Sequence, residues 1–108
     1  MNNIVIITGN IGEKREPKMY SKKDGSTGIL LSMPVAVYIS QNQTMWCEVV
    51  AYDLLADQTY GSMQKGSRVD VIGKLMPNNY ESKDGTKNKS FKIIANHIRV
   101  FDKKIDKN

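Results

Sequence analysis

The stretch Met45-Trp46-Cys47-Glu48-Val49-Val50-Ala51-Tyr52 alternates from one residue to the next in size and polarity. Side chains of a β-strand point to opposite faces in turn, so Trp46, Glu48, Val50 and Tyr52 share one side while Cys47, Val49 and Ala51 share the other. The small apolar set suits a core. The set holding two rings and a charge suits a face that meets solvent or a ligand.

Working outward, the preceding run from Ile29 to Tyr38 alternates in the same way. Ile29, Leu31, Met33, Val35 and Val37 make a continuous apolar side, which leaves Leu30, Ser32, Pro34, Ala36 and Tyr38 opposite the core. The polar link 40–44 joins the two runs into a hairpin. An earlier β-branched run, Asn3 to Ile11, reads as a first strand; Glu13 to Lys18 reads as a polar loop, because Pro17 cannot hold a central ladder position. After Tyr52, Asp53 is placed to cap a short helix reaching about Gln64, with Leu54, Leu55 and Met63 as its apolar contacts. Arg68 to Leu75 returns to strand alternation, and Ser90 to Phe101 forms the last strand. Between them, Asn78 to Lys87 predicts a β-arm turned by Asp84-Gly85, with Tyr80 on its ascending side.

Five strands with one short helix between the third and fourth, and an arm between the fourth and fifth, describe an all-β fold. It is the small five-stranded Greek-key barrel known as the OB-fold, which binds oligonucleotides across the face of its second and third strands. Residues 1–102 form that one domain, and 103–108 are a short charged tail. Tyr38, Trp46, Tyr52 and Tyr80 all fall at or near strand ends, where they make a surface for stacking unpaired nucleobases. Trp46 alone would more often be a core or interface residue. Its place beside Tyr52 and Tyr38 reverses that reading.

Composition narrows the function classes. Sixteen Lys and Arg against eleven Asp and Glu give a formal net charge of +5 over 108 residues, which favours a polyanionic partner. Lys18, Lys22, Lys65, Lys74, Lys83 and Lys92 are the candidates for phosphate contact. If roughly five phosphates are neutralised per subunit, log affinity falls with log salt at a slope near about −3.5. One cysteine excludes an internal disulfide, and with one histidine it cannot build a four-ligand zinc site, so no metal or other cofactor is expected. Cys47 reads as a small core group rather than a nucleophile, and His97, late in the last strand, reads as scaffold. Tyr20 and Tyr60 read as packing residues. No paired carboxylates or glycine-rich phosphate loop suggest an enzyme. The opening Met1-Asn2-Asn3-Ile4-Val5-Ile6-Ile7 has neither a basic leader nor the length of a membrane span, which fits a cytoplasmic protein.

The order and spacing of several pieces resemble the bacterial single-stranded DNA-binding proteins, over nearly the whole chain from Asn3 to about Phe101. These pieces are Val5-Ile6-Ile7-Thr8-Gly9-Asn10-Ile11-Gly12, then Trp46 to Tyr52 leading into Leu55-Ala56-Asp57, and Lys65-Gly66-Ser67-Arg68-Val69. The last continues through Ile72-Gly73-Lys74-Leu75 to Asn79-Tyr80-Glu81 and Asp84-Gly85. The resemblance implies a non-enzymatic homotetramer of OB-folds, with a dimer as the alternative, around which single-stranded DNA wraps in replication, recombination and repair. It implies base-stacking aromatics at Tyr38, Trp46, Tyr52 and Tyr80. Two departures stand out. The chain stops at Asp102-Lys103-Lys104-Ile105-Asp106-Lys107-Asn108, without the acidic tip that recruits partner enzymes, so recruitment through such a tip is not expected. A truncated chain, a divergent or mobile-element member and the related primosomal accessory protein all fit that ending, and a protein-interaction OB module is the remaining alternative. In addition, Glu48 sits among the aromatics and the fourth strand is poor in basic residues, which lowers the expected phosphate affinity.

Overall fold

A computed structural model describes residues 1–101, with the side chains of Tyr80 and Asn88 outside the description; the predicted tail at 103–108 also lies outside it. The strands are β1 (Val5–Ile11), β2 (Lys18–Ser21), β3 (Thr27–Ser40), β4 (Gln43–Tyr52), β5 (Arg68–Pro77), β6 (Tyr80–Glu81), β7 (Lys87–Asn88) and β8 (Phe91–Phe101). The single helix α1 (Asp53–Ser62) separates β4 from β5. Hydrogen bonding orders the main sheet β1-β5-β8-β4-β3-β2, and a short ladder from Asn10 to Ala36 and Ile11 to Val35 joins β1 to β3. That junction closes a five-stranded barrel of β1, β5, β8, β4 and β3, the OB-fold the alternation predicts. Only β4 and β8 run parallel among the described main-sheet pairs.

Register follows from the period-two pattern. Leu31, Met33 and Val35 on β3 lie opposite Ala51, Val49 and Cys47 on β4, and all but Cys47 are fully buried. Val69 and Val71 of β5, Ile93 and Ala95 of β8 and Ile11 of β1 complete the interior. A slip of one residue in any of these strands would turn its whole apolar set outward, so burial fixes the pairing. Helix α1 covers one end of the barrel with Ala56 and Thr59 buried and Leu55, Tyr60 and the following Met63 packed on the core. Tyr60 also donates its hydroxyl to the Glu16 carboxylate at 2.7 Å, and the Lys14 ammonium lies 4.5 Å over its ring.

Two local expectations need correction. The segment after Pro17 is not all loop: Lys18–Ser21 forms β2, an extra strand paired with the first half of β3. The sequence Lys18-Met19-Tyr20-Ser21 carries too few core-directed apolar residues to signal a strand by itself. Secondly, Asp53 does not cap α1 with its side chain. Its backbone takes a positive φ of 54°, an uncommon conformation that Asp tolerates better than most residues, and this turns its carboxylate back toward β2 and β3.

The two remaining hairpin tips are built alike. At both Lys22-Lys23-Asp24-Gly25-Ser26 and Ser82-Lys83-Asp84-Gly85-Thr86, the glycine takes a positive φ and the aspartate accepts from the backbone N–H two residues on. Each tip therefore presents a lysine, Lys23 or Lys83, at the same place in the turn.

Candidate nucleic-acid interface

The outward faces of β3 and β4 form one surface because directly opposed residues of an antiparallel pair share a side. Ala36 lies opposite Trp46, Pro34 opposite Glu48, Ser32 opposite Val50 and Leu30 opposite Tyr52. Tyr38, opposite Thr44, is the diagonal neighbour of Trp46 on this face, within reach of an aromatic side chain. Tyr38 is 71% exposed and Trp46 62%, and Tyr52 is 36% exposed. Val50 is buried on this face yet lies outside the core cluster, which makes it floor rather than core.

Around Val50 runs an open groove of about 360 Å³. Leu30, Ser32, Glu48, Val50 and Tyr52 line it from β3 and β4, Arg15, Glu16 and Lys18 from the β1–β2 side, and Asn78 and Lys92 from the opposite side. Lys92 reaches the groove because β8 pairs with β4 in a register that sets it beside Glu48.

Arg15 is the residue that sequence reading missed. Its guanidinium donates to Glu48 Oε2 at 3.0 Å, with Ser32 Oγ at 3.5 Å and Glu13 Oε1 at 3.4 Å. The uncompensated charge of Glu48 among apolar and aromatic neighbours was the signal that a cation must approach. Which cation was not encoded locally.

Tyr20 was also undervalued. On β2 it lies opposite Gly28, so it extends the groove face by one strand, and its ring meets Tyr52 edge-on at 5.5 Å between centroids. Its hydroxyl donates to Asp53 at 3.2 Å, while the same carboxylate accepts from the Ile29 N–H at 3.2 Å and pairs with Lys22 at 3.3 Å. Partial burial raises the Asp53 carboxyl, but the Ile29 N–H, Lys22 and Tyr20 outweigh it and hold the group below the usual carboxylate range. Burial, followed by the bond to Asp53, pushes the Tyr20 phenol up.

Of the six lysines, Lys18 and Lys92 line the groove and Lys22 is engaged by Asp53. Lys83 stands on the arm tip, whereas Lys65 and Lys74 are exposed and not among the groove-lining residues. Tyr80 sits on the first strand of the arm, with its side chain outside the description. Cys47 is half-buried against the core, and burial pushes its thiol up, away from a reactive thiolate. His97 is exposed on β8 opposite Ile72. Among the described residues no cluster of His, Cys, Asp and Glu could hold a metal ion, and no helix is long and apolar enough to cross a membrane.

A protein named single-stranded DNA-binding protein 1 from Xylella fastidiosa is 26% identical over 113 residues, which cover 98% of this chain and 82% of that protein. The single-stranded DNA-binding protein of Chlamydia caviae is 32% identical over 92 residues, 84% of this chain and 56% of its own length. That of Xanthomonas campestris pv. campestris is 28% identical over 103 residues, covering 92% of this chain and 60% of the relative. The chain thus spans little more than half of these last two. The single-strand binding protein family matches residues 1–101, the whole described barrel with its arm, and the chain belongs to that family.

Proposed function

We propose that the protein binds single-stranded DNA with broad sequence tolerance, stacking unpaired bases on Tyr38, Trp46, Tyr52 and Tyr80 while cations along the groove and hairpin tips track the phosphates. The observation that carries this reading is the pair Tyr38 and Trp46, two large rings left mostly exposed side by side on the face that also holds the groove. Exposing an aromatic ring forgoes roughly 1.5–3 kcal/mol of burial, so a folded chain that leaves two together on one face has a ligand for them. Every base has a π-face, which makes stacking indifferent to sequence, and each stacked base is worth about 1–3 kcal/mol. Paired bases hide their faces, so duplex retains only the electrostatic term.

Lys18 and Lys92 flank the groove, and Lys23 and Lys83 extend the positive track from the two matching turns. Lys65 and Lys74, lying elsewhere, would take part only if the strand wraps beyond this face. The protein would act without catalysis, in the cytoplasm, protecting unpaired DNA during replication, recombination and repair.

A homo-oligomer, tetramer before dimer, fits the opposite side of the barrel. Ile4 and Ile6 are exposed there beside Ile72, which pairs with Ile6, and β1 is engaged on its second edge only at Asn10 and Ile11 among the described pairings. An open strand edge flanked by exposed isoleucines is a template for a second copy.

The test is titration with oligo(dT), following Trp46 emission at several salt concentrations, with duplex of equal length as control. Quenching at far lower concentration of single strand than of duplex is the expected result. Equal affinity for the two would overturn the reading, and no quenching at all would leave the face to a protein partner.

A further inference from the structure

β2 and β4 do not pair, because β3 lies between them. Two strand spacings, roughly 9.5 Å, separate their backbones, yet the rings of Tyr20 on β2 and Tyr52 on β4 meet at 5.5 Å between centroids, inclined by 76°. The contact crosses β3 at Gly28, the cross-strand partner of Tyr20. A Cβ added there would fall 2.6 Å from Tyr20 Cε1, 2.6 Å from Asp53 Oδ1 and 2.7 Å from Lys22 Cε. The missing side chain is what lets these three groups converge and lets the Tyr20 ring reach over β3 to Tyr52.

The Tyr20 ring is also fixed at its far end. Its hydroxyl donates to Asp53 Oδ2 at 3.2 Å, and Asp53 follows Tyr52 directly in the chain. Peptide bond, hydrogen bond and ring contact thus close a cycle from Tyr52 through Asp53 and Tyr20 back to Tyr52. Asp53 is itself held by the Ile29 N–H at 3.2 Å, and Lys22 at 3.3 Å balances its charge at this corner of the face. Such a cycle leaves the Tyr52 ring less rotational freedom than a lone exposed side chain has. Among the described residues neither Tyr38 nor Trp46 has a ring partner, and both are more exposed than Tyr52.

Stacking a base on a freely rotating ring freezes that ring, and one immobilised side chain costs about two- to tenfold in affinity. A ring already held escapes most of that cost. We propose that Tyr20, anchored on Asp53, is a positioning residue for strand binding, which holds the Tyr52 ring in the orientation on which an unpaired base stacks. The proposal rests on the single-strand reading above. Tyr20 acts through Tyr52 and supplies no base contact of its own.

Tyr20→Phe is the direct test, because it keeps the ring and removes only the hydroxyl that Asp53 holds. Lys22 and the Ile29 N–H still satisfy the carboxylate. Affinity for oligo(dT) is read by anisotropy of a labelled strand for wild type, Tyr20→Phe, Tyr52→Ala and the double variant. Tyr20→Phe is expected to bind about threefold more weakly than wild type, and Tyr52→Ala more weakly still, since it loses a whole platform. In the Tyr52→Ala background Tyr20→Phe is expected to change nothing, because the ring it positions is gone. Tyrosine-ring NMR of the free protein should show the Tyr52 signals moved in Tyr20→Phe.

A contact made by Tyr20 itself, or a general loss of stability, would weaken binding equally in both backgrounds and so overturn the proposal. Unmoved Tyr52 signals, or no loss of affinity in Tyr20→Phe, would overturn it as well, while leaving single-strand binding intact. Wild-type affinity in Tyr52→Ala would strike Tyr52 from the stacking set and take the proposal with it. Failure of the wild-type chain to bind oligo(dT) would remove the function itself.

Discussion

Trp46 lies across Gly12: a Cβ added at position 12 would fall 2.5 Å from Cζ3 and 2.9 Å from Cη2 of the indole. The glycine at the end of β1 is thus the seat of the largest exposed ring on the groove face. Gly12→Ala is expected to tilt the indole outward without unfolding the barrel, because the clashing atoms are the free tip of an exposed side chain. Stability should change by under about 1 kcal/mol, while oligo(dT) affinity and the quenching of Trp46 both fall. A variant that binds as wild type does would show that the ring's seat is irrelevant.

Single substitutions Trp46→Ala and Tyr38→Ala should each weaken oligo(dT) binding by about 1–3 kcal/mol, the worth of one stacked base. Because the two rings are diagonal neighbours, the double variant is expected to lose less than the sum. Anisotropy of a labelled oligonucleotide reads all three. Full additivity would place the rings under separate, uncoupled bases.

Asp53 joins β2, β3 and the start of α1 through Tyr20, Lys22 and the Ile29 N–H, from a backbone with positive φ. Asp53→Asn keeps a side chain that tolerates this backbone and can still accept from Ile29. Asp53→Ala keeps neither. The alanine variant should therefore melt at the lower temperature by circular dichroism, and it should also release Tyr20 from Tyr52. Equal melting of the two variants would mean that the Lys22 ion pair, lost in both, dominates.

Ile6→Asp sets a charge on the exposed apolar face of β1, beside Ile72. In a monomer this surface change would alter stability by no more than about 0.5 kcal/mol. In an assembly built on that edge it should lower the mass seen by sedimentation equilibrium. A wild-type chain that sediments as a monomer would dispose of the second copy.

At the arm tip the Ser82 hydroxyl, followed by the Thr86 N–H, bonds the Asp84 carboxylate and lowers its pKa from 3.8 to about 2. A depressed folded value means that the charged form holds the turn, so this contribution is complete above the unfolded value and fades as pH falls through about 2. Carbon-detected NMR should find the Asp84 midpoint near that pH, with the Thr86 amide losing protection over the same range. A midpoint at the ordinary carboxylate value would mean that the turn is open in solution.

The barrel was legible because its strands obey a two-residue period with few exceptions. Leu31, Met33 and Val35 face inward against Val49 and Ala51 as alternation requires, and that same rule sets Tyr38, Trp46 and Tyr52 on the other side. The helix was legible in place but not in its start, because a residue of positive φ gives no periodic signal.

Local pattern by itself determined the five barrel strands, their inward faces and the outward rings, since neighbours along a strand fix which side each residue takes; the extra strand β2 it did not show. Only the closed barrel decided that Arg15 meets Glu48, 33 residues away, that Tyr20 braces Tyr52, and that Lys92 lines the groove while Lys74 does not. Those partnerships depend on which strands come to lie side by side and in what register. Burial of the whole core sets both, and no short window of sequence contains it.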